Sequence, residues 1–132
     1  MSSYLSCIFV TLTLIPAVSS LTAGQSPQKH IESGVVEFVE PVRLMGVTLR
    51  GRYLFVHHAG MMQRARPCTY VYALSDANPG RFILSFHCMA VPANPVARAT
   101  VRLSGLSMGS LPRDVLEVQF PGDIRSHRVP SP

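Results

Sequence analysis

The sequence predicts an all-β domain, a small antiparallel β-sandwich or barrel of about seven or eight short strands that follows an N-terminal signal peptide. Short stretches rich in Val, Ile, Leu, Tyr and Phe are interrupted throughout by Gly and Pro, which is the pattern of short strands joined by turns. No stretch keeps an amphipathic helical period over about ten residues. The 132 residues are enough for one domain.

The first 24 residues predict a cleaved secretory signal peptide. They contain no Asp, Glu, Lys or Arg, and an apolar core at residues 7–18 is followed by small residues. This core is shorter than the roughly 20 residues that cross a bilayer as a helix. Small residues at 17–19 (AVS) and 22–24 (TAG) both fit a cleavage site. We therefore expect an exported protein, periplasmic or extracellular, with no transmembrane segment after cleavage; a retained N-terminal membrane anchor is the alternative.

Residues 25–34 predict a flexible leader because they are mostly polar, and residues 35–130 predict the single β-rich domain. Within this domain the RGR motif at 50–52 predicts a compact hairpin turn, and the segment AGMMQRAR at 59–66 predicts one helical turn. The predicted strands, in chain order, are 35–39, 47–49, 53–57, 69–73, 82–88, 100–103, 115–120 and 124–129.

Cysteine spacing predicts a disulfide between Cys68 and Cys88. Cys7 leaves with the signal peptide, so the mature chain keeps a pair of cysteines in an oxidising compartment, where a disulfide is the expected state. Folding residues 68–88 about their midpoint places Cys68 directly opposite Cys88, and opposed Cα atoms about 4.5–5.5 Å apart suit a disulfide. The same register places three further pairs on one core-facing side of the hairpin: Tyr70 with Phe86, Tyr72 with Leu84, and Leu74 with Phe82.

The segment YLFVHHAGMMQRARPC at 53–68 raises the alternative of a metal site. Soft and borderline metals favour His, Met and thiolate ligands. Two points oppose a metal: cysteines that pair with each other are not thiolates, and adjacent strand residues face opposite sides. The zinc spacings C-x-x-C and H-E-x-x-H do not occur in the sequence. We therefore expect no cofactor, with a copper-type metal-binding protein as the alternative. Its candidate ligands are His57, His58, Met61, Met62 and His87.

The charge pattern argues against nucleic acid as a partner. The chain has 12 Lys and Arg against 7 Asp and Glu, a net charge of +5. The arginines are scattered, however, and no aromatic residues alternate with them as stacking platforms for bases. The loop at 58–67 carries Arg64 and Arg66 and is the candidate partner-binding surface. The expected partner is another envelope protein or an anionic surface.

No arrangement of residues predicts catalysis. His87 neighbours Cys88 in sequence, but on a strand the two side chains face opposite sides, so His87 is not placed as the base for a cysteine nucleophile. Asp76, Asp114 and Asp123 lie in turn-like contexts, where such side chains bond nearby backbone. A thiol–disulfide enzyme built on the two cysteines is a third hypothesis, without a C-x-x-C motif to support it.

The stretches VTLRGRYLFVHH, RPCTYVY, ILSFHC and VQFPGDIRSHRVP together resemble a group of small exported bacterial proteins of unknown function. The resemblance covers roughly residues 35–130, and its most distinctive part is the pair C-T-x-V-Y and S-F-H-C. It implies a bacterial, exported, β-rich domain in which Cys68 and Cys88 take part, and it implies no activity. The sequence thus predicts a non-catalytic structural or binding module of the bacterial cell envelope.

Overall fold

The computed structural model describes residues 30–76, 80–105 and 112–131, so the predicted signal peptide and residues 25–29 of the predicted leader lie outside the described residues. The described chain is mostly β, as predicted, and its strands form one eight-stranded sheet. A 3₁₀ helix, Ala59–Arg64, follows the second strand. The strands are β1 (Ile31–Leu44), β2 (Val47–His58), β3 (Thr69–Leu74), β4 (Arg81–Phe86), β5 (Met89–Pro92), β6 (Thr100–Leu103), β7 (Arg113–Gln119) and β8 (Arg125–Arg128).

The strand order along the sheet is β4-β3-β2-β1-β7-β8-β5, and β6 also pairs with β7. Neighbouring strands are antiparallel except β1 and β7, which run parallel where Val42 meets Arg113 and Arg43 meets Asp114. The sheet is therefore mixed rather than wholly antiparallel. The physical reason is that the chain reaches the second edge of β1 through a long crossover, and a crossover permits parallel neighbours that a tight hairpin does not.

The outer strands of this sheet are close neighbours in sequence. β4 and β5 end the strand order, yet only His87 and Cys88 lie between them in the chain. Because so short a link cannot bridge the width of a flat sheet, the sheet curls into a half-barrel. We call the junction of β4 and β5 the seam. Cys88 is buried at the seam, whereas His87 is exposed.

β1 and β2 form a long hairpin whose turn lies at Met45 and Gly46. Both residues have positive φ, 49° and 80°, as a two-residue type I′ turn requires. The hairpin turn predicted at 50–52 was wrong. Gly51, with φ of 93°, lies at a register shift inside a continuous strand, because β1 carries a bulge opposite it.

β1 begins at Ile31, so residues 31–34, predicted as leader, form the start of the first strand. Its side chains alternate between the surface and the interior, with a break at the bulge. The inward positions of β1 include Glu32, Val36, Phe38, Val42 and Leu44, and those of β2 include Leu49, Tyr53, Phe55 and His57. An acid and a histidine therefore occupy positions that the strand pattern assigns to the core.

The hairpin of β3 and β4 forms where it was predicted, but in a different register. The ladder pairs Thr69 with Phe86 and, past a bulge, Tyr72 with Phe82. The predicted register was one residue off at the cysteine end and two residues off beyond the bulge. The three predicted apolar pairs were therefore wrong: Tyr70 with Phe86, Tyr72 with Leu84, and Leu74 with Phe82. The extra residue of the bulge is Ile83, and it splits the predicted apolar face: Phe86 is 3 % exposed and Phe82 is 53 % exposed.

The other predicted elements are largely confirmed. β6 occupies the predicted residues, β7 and β8 overlap the predicted strands, and the predicted helical turn is the 3₁₀ helix after β2. β5 was not predicted because the sequence VPANP at its end is typical of a loop; an edge strand tolerates proline, which has no N–H to donate. In the described ranges, no helix has the length and apolar character needed to cross a bilayer.

Gly34 provides a test of the packing of β1 against the segment that precedes β6. A Cβ at this position would collide with the Cβ of Ala99. We predict that Gly34→Ala lowers the free energy of unfolding by about 1–3 kcal/mol, as overpacking does. Gly60→Ala is the matched control, since within the described residues no atom lies within 4 Å of its added Cβ. Chemical denaturation measures both, and Ala99→Gly should restore much of the loss; an unchanged Gly34→Ala protein would contradict this packing.

Glu117 ties three neighbouring strands together through its carboxylate. It accepts hydrogen bonds from Arg102 of β6, and from Ser126 Oγ (3.1 Å) and Arg128 Nε (3.4 Å) of β8. The hydrogen bond from Arg102 is the main reason that the pKa of Glu117 lies below its ordinary value of 4.5. A depressed folded pKa stabilises the protein above the unfolded value, and this stabilisation is lost as the pH falls through the folded pKa.

We therefore predict that Glu117→Gln destabilises the protein by about 1 kcal/mol at neutral pH, a modest figure because the arginines are solvent-exposed. The difference from wild type should shrink below pH 4.5, the ordinary pKa of this carboxyl group. Urea denaturation at pH 7 and pH 3 measures it, with the exposed Glu40→Gln as the control. A difference of equal size at both pH values would contradict the assigned ion pairs.

Candidate metal centre

His57 and Glu32 form a buried pair across two strands. His57 is an inward position of β2 and lies directly opposite Glu32 of β1. The His57 Nδ1–H donates to Glu32 Oε2 over 2.8 Å, and the two side chains are only 2 % and 8 % exposed. A carboxylate removed from water needs such a partner. The register of the first hairpin is therefore enough to bring the two groups together.

His127 and Asp123 form a second buried pair, which depends on the turn before β8. Residues 120–123 (FPGD) form this turn, closed by a 3.2 Å hydrogen bond from the Asp123 N–H to the Phe120 carbonyl. Proline followed by glycine with φ of 75° is typical of a type II turn. The His127 Nε2–H donates to Asp123 Oδ2 over 2.9 Å. Both side chains are almost completely excluded from solvent.

Cys68 and Cys88 lie just outside the ladder of β3 and β4. The Cys68 N–H donates to the Phe86 carbonyl over 3.1 Å, and the Cys88 N–H points at Cys68 Sγ over 3.0 Å. The sulfur atoms are 2.7 Å apart and are not bonded to each other. The two cysteines therefore meet, as predicted, but not as directly opposed strand residues, because the ladder ends at Phe86. The disulfide itself stays a prediction.

The remaining ring nitrogens of the two histidines face the cysteines. His127 Nδ1 lies 3.5 Å from Cys88 Sγ. One ligand atom each of His57, Cys88 and His127 lies within 4.8 Å of the other two, and all three residues are buried. Cys68 Sγ lies beside this group through its contact with Cys88. We call His57, Cys68, Cys88 and His127 the centre.

One nitrogen in the centre is buried without a partner. His57 Nε2 makes no hydrogen bond within residues 30–76, 80–105 and 112–131. Leaving a buried polar atom unsatisfied costs about 1–3 kcal/mol. The ring cannot rotate to relieve this without breaking the Nδ1 hydrogen bond to Glu32. A ligand that accepts the Nε2 lone pair, such as a metal ion, would remove the penalty.

Phe120 holds the two imidazole rings in place. Its ring stacks on His57 with centroids 5.8 Å apart and meets His127 edge-on at 5.4 Å, while the two histidine rings are 4.0 Å apart. Phe120 is fully buried. Ring contacts of this kind contribute about 0.5–1.5 kcal/mol each beyond their buried area. The donor atoms of the centre are therefore oriented before any ligand binds.

The pKa values of the two cysteines are shifted in opposite directions. The hydrogen bond from the Cys88 thiol lowers the pKa of Cys68 to about 4, helped by the nearby His57 ring and the Cys88 N–H. The same hydrogen bond, together with burial, raises the pKa of Cys88. The lowered pKa favours the thiolate form of Cys68, and thiolates are the form of cysteine that binds metals and reacts with disulfides.

The two histidines are affected in opposite directions. Burial is the largest influence on the pKa of His57 and lowers it, but the nearby Cys68 sulfur and the Glu32 carboxylate together outweigh burial and raise the pKa overall. Burial lowers the pKa of His127, against the opposing effect of Asp123. The neutral imidazole that metal binding requires is thus favoured at His127.

A cleft of about 320 Å³ adjoins the carboxylates that support the centre, and His30, Glu32, Asp123 and Arg125 are among its lining residues. Arg125 Nε lies 3.1 Å from Asp123 Oδ1, and its NH2 lies 3.9 Å from Glu32 Oε1. In each carboxylate, one oxygen therefore accepts a hydrogen bond from a buried histidine, and the other oxygen faces Arg125. The cleft connects the supporting carboxylates, rather than the sulfur atoms, with solvent.

Of the five histidines and methionines predicted as metal ligands, only His57 belongs to the centre. His58 faces the opposite side of β2, where its ring meets Tyr70 edge-on at 5.5 Å. Met61 and Met62 belong to the 3₁₀ helix, in which no residue is buried, and His87 is exposed at the seam. The adjacent histidines separate for the predicted reason, since neighbouring strand residues face opposite sides. Arg64 and Arg66 are both exposed, and their role in partner binding stays a prediction.

Sequence reasoning missed Glu32, Asp123 and His127. Glu32 lay in the predicted leader, but it alternates correctly with Val36 and Phe38 and could have been found as the inward acid of a longer strand. Asp123 was assigned to backbone bonding in a turn, and its Oδ1 does accept the Arg125 N–H over 3.0 Å. The spacing D-x-x-x-H was the available signal for its second contact.

Fold and centre together define a small all-β domain with a buried cluster of two cysteines and two histidines. Comparison with protein-family models, curated proteins and solved structures gives no significant match.

Proposed function

We propose that this domain binds a thiophilic transition-metal ion, Zn²⁺ or Cu⁺, through the centre. The supporting observation is the buried His57 Nε2, which has no hydrogen-bond partner among the described residues and belongs to a ring held by Glu32. Ligating histidines commonly donate their other ring N–H to a carboxylate, which fixes the tautomer and makes the ligating nitrogen more basic. Both histidines of the centre have such a carboxylate.

The donor set favours these ions over harder ones. Two sulfurs and two imidazole nitrogens in a tetrahedral arrangement are typical of zinc, and thiolates also select Cu⁺. A tetrahedral ion with metal–sulfur bonds of about 2.3 Å holds its sulfur ligands roughly 3.8 Å apart. The sulfur atoms, now 2.7 Å apart, would separate by about an ångström on binding.

The proposed role is to hold the ion, without catalysis. Four protein ligands complete a tetrahedral zinc site, whereas catalytic zinc keeps a position open for water or substrate. Burial of all four residues also favours retention, since the cleft reaches only the supporting carboxylates. The domain therefore acts as a metal-binding module.

We further propose that the module works outside the cytoplasm. Its mature chain would begin after a signal peptide that ends at residue 19 or residue 24. Uncharged, apolar residues 7–18 followed by small residues support this proposal. In an oxidising compartment the pair Cys68 and Cys88 forms a disulfide unless the metal ion occupies it. The predicted disulfide and the proposed metal ligation are thus two states of one pair.

Metal titration of the reduced mature protein tests the proposed function. We predict one Zn²⁺ per chain and, with Co²⁺ as a spectroscopic substitute, the sulfur-to-cobalt charge-transfer bands of a thiolate site. His127→Ala should weaken binding by more than about 100-fold, the upper range for losing a supporting residue, because it removes a ligand itself. His87→Ala is the matched control, as His87 is exposed beside the buried Cys88.

Two results would contradict the proposal. If the reduced protein binds neither Zn²⁺ nor Cu⁺, the proposal that the domain is a metal-binding module is wrong. Equal loss of affinity in His127→Ala and His87→Ala would show that the bound ion lies elsewhere. Circular dichroism of the variants before titration separates loss of the fold from loss of a ligand.

Export has its own test. We predict that the protein, expressed with its full sequence in a bacterium, is recovered from the periplasm or medium with its new N-terminus after residue 19 or residue 24. N-terminal sequencing or intact mass spectrometry measures this. Recovery of the whole chain from the membrane fraction would instead support a retained anchor.

A further inference from the structure

We propose that oxidation of Cys68 and Cys88 to a disulfide expels the metal ion, so that the centre releases its ion in response to small-molecule disulfides. This inference rests on the proposed metal binding and adds the condition under which the ion is given up. The inference depends on the position of the two sulfur atoms, which lie 2.7 Å apart. In the reduced state both would be metal ligands, and in the oxidised state they would be bonded to each other.

The backbone places the sulfur atoms so that neither state requires refolding. The Cys68 N–H is anchored on the Phe86 carbonyl over 3.1 Å, and Phe86 is the last residue of β4. Cys88 follows two residues later, with its N–H at 3.0 Å from Cys68 Sγ. Both cysteines are therefore held by the same end of one hairpin, and only side-chain rotation separates bonding from ligation.

Disulfide formation leaves too few ligands to retain the ion. A disulfide sulfur carries no thiolate charge, so Cys68 and Cys88 both cease to be ligands. His57 Nε2 and His127 Nδ1 remain, still oriented by Glu32 and Asp123. Two neutral imidazoles replace a set that also held two thiolates, and the affinity for a thiophilic ion falls accordingly.

The reaction balances without further components when the oxidant is a low-molecular-weight disulfide, RSSR. One cysteine thiolate attacks RSSR, forms a mixed disulfide and releases RS⁻. The second cysteine sulfur then attacks the mixed disulfide at the protein sulfur, which forms the Cys68–Cys88 bond and releases a second RS⁻. The two RS⁻ take up two protons from the surrounding water to give two RSH. The metal ion keeps its charge throughout and dissociates.

Access to the buried sulfurs is available at the seam. β5 is a four-residue edge strand, and its first residue, Met89, is 61 % exposed directly after Cys88. A short edge strand opens at lower cost than the centre of a sheet. Local opening of β5 from β8 at the seam therefore exposes Cys88 to a small disulfide.

Oxidised glutathione added to the zinc-loaded mature protein tests the inference. A chromogenic chelator in the solution measures released zinc, and intact mass spectrometry measures the loss of two hydrogens on disulfide formation. We expect one ion released per disulfide formed, and recovery of binding after reduction with added zinc. We also expect the oxidised protein to bind zinc more than about 100-fold more weakly than the reduced protein, beyond the loss caused by removing a supporting residue.

Cys68→Ser is the informative variant. It keeps His57, Cys88 and His127, whose ligand atoms lie within 4.8 Å of one another, so we expect the variant to bind zinc, but more weakly. With oxidised glutathione it should form no intramolecular disulfide, and it should not release one zinc ion per disulfide as the wild type does. His87→Ala should release zinc as the wild type does.

The outcomes separate this inference from the proposed function. Wild-type protein that forms the disulfide and keeps its zinc, or that resists oxidation in excess oxidised glutathione, would overturn the inference and leave metal binding standing. Reduced protein that never binds zinc would instead overturn the proposed function. If Cys68→Ser does not fold, the wild-type ratio of released zinc to disulfide decides the question alone.

Discussion

The buried carboxylate of Glu32 is the group on which the centre depends. It occupies an inward position of β1, and removing a charged carboxylate from water is costly unless positive or donor groups surround it. His57 Nδ1 supplies the closest donor at 2.8 Å, and His127 Nε2 lies 3.7 Å from the same oxygen. The acid thus contacts both a histidine of the first hairpin and a histidine of the last strand.

The opposite use of the ring nitrogens follows from where the carboxylates lie. Glu32 takes Nδ1 of His57, which leaves Nε2 facing inward, and Asp123 takes Nε2 of His127, which leaves Nδ1 3.5 Å from the Cys88 sulfur. Each acid lies on the solvent side of its imidazole, between the ring and Arg125. This layering keeps the carboxylates near the guanidinium and leaves the other ring nitrogens to the sulfur atoms.

Strand positions could be predicted well from the sequence, and pairing could not. Alternation and turn residues located β3, β4 and β6, because those signals are local. The register of the second hairpin depends on one bulge residue, Ile83, whose apolar side chain is no different from that of an ordinary strand residue. Met45 and Gly46 form a turn whose geometry usually selects Asn-Gly, so the break was assigned to the glycine at 51 instead.

The centre was only partly predictable for a related reason. Cys68 and Cys88 flank one hairpin, so their proximity can be predicted from the local sequence. The prediction of proximity was correct although the predicted register was wrong. Glu32 and His127 come from the two ends of the domain, and their meeting depends on how the sheet curls. No pattern within a strand carries that information, because curvature is a property of the whole sheet.

The two-residue link between β4 and β5 has a consequence for how the domain assembles. The strands on either side of His87 and Cys88 lie at opposite ends of the strand order. The residues around this link therefore come from both the early strands and the last strand of the chain. Non-local pairings of this kind form slowly, since a long loop must close before its contacts are gained. The four residues of the centre therefore meet only after the sheet has closed, late in the folding of the domain.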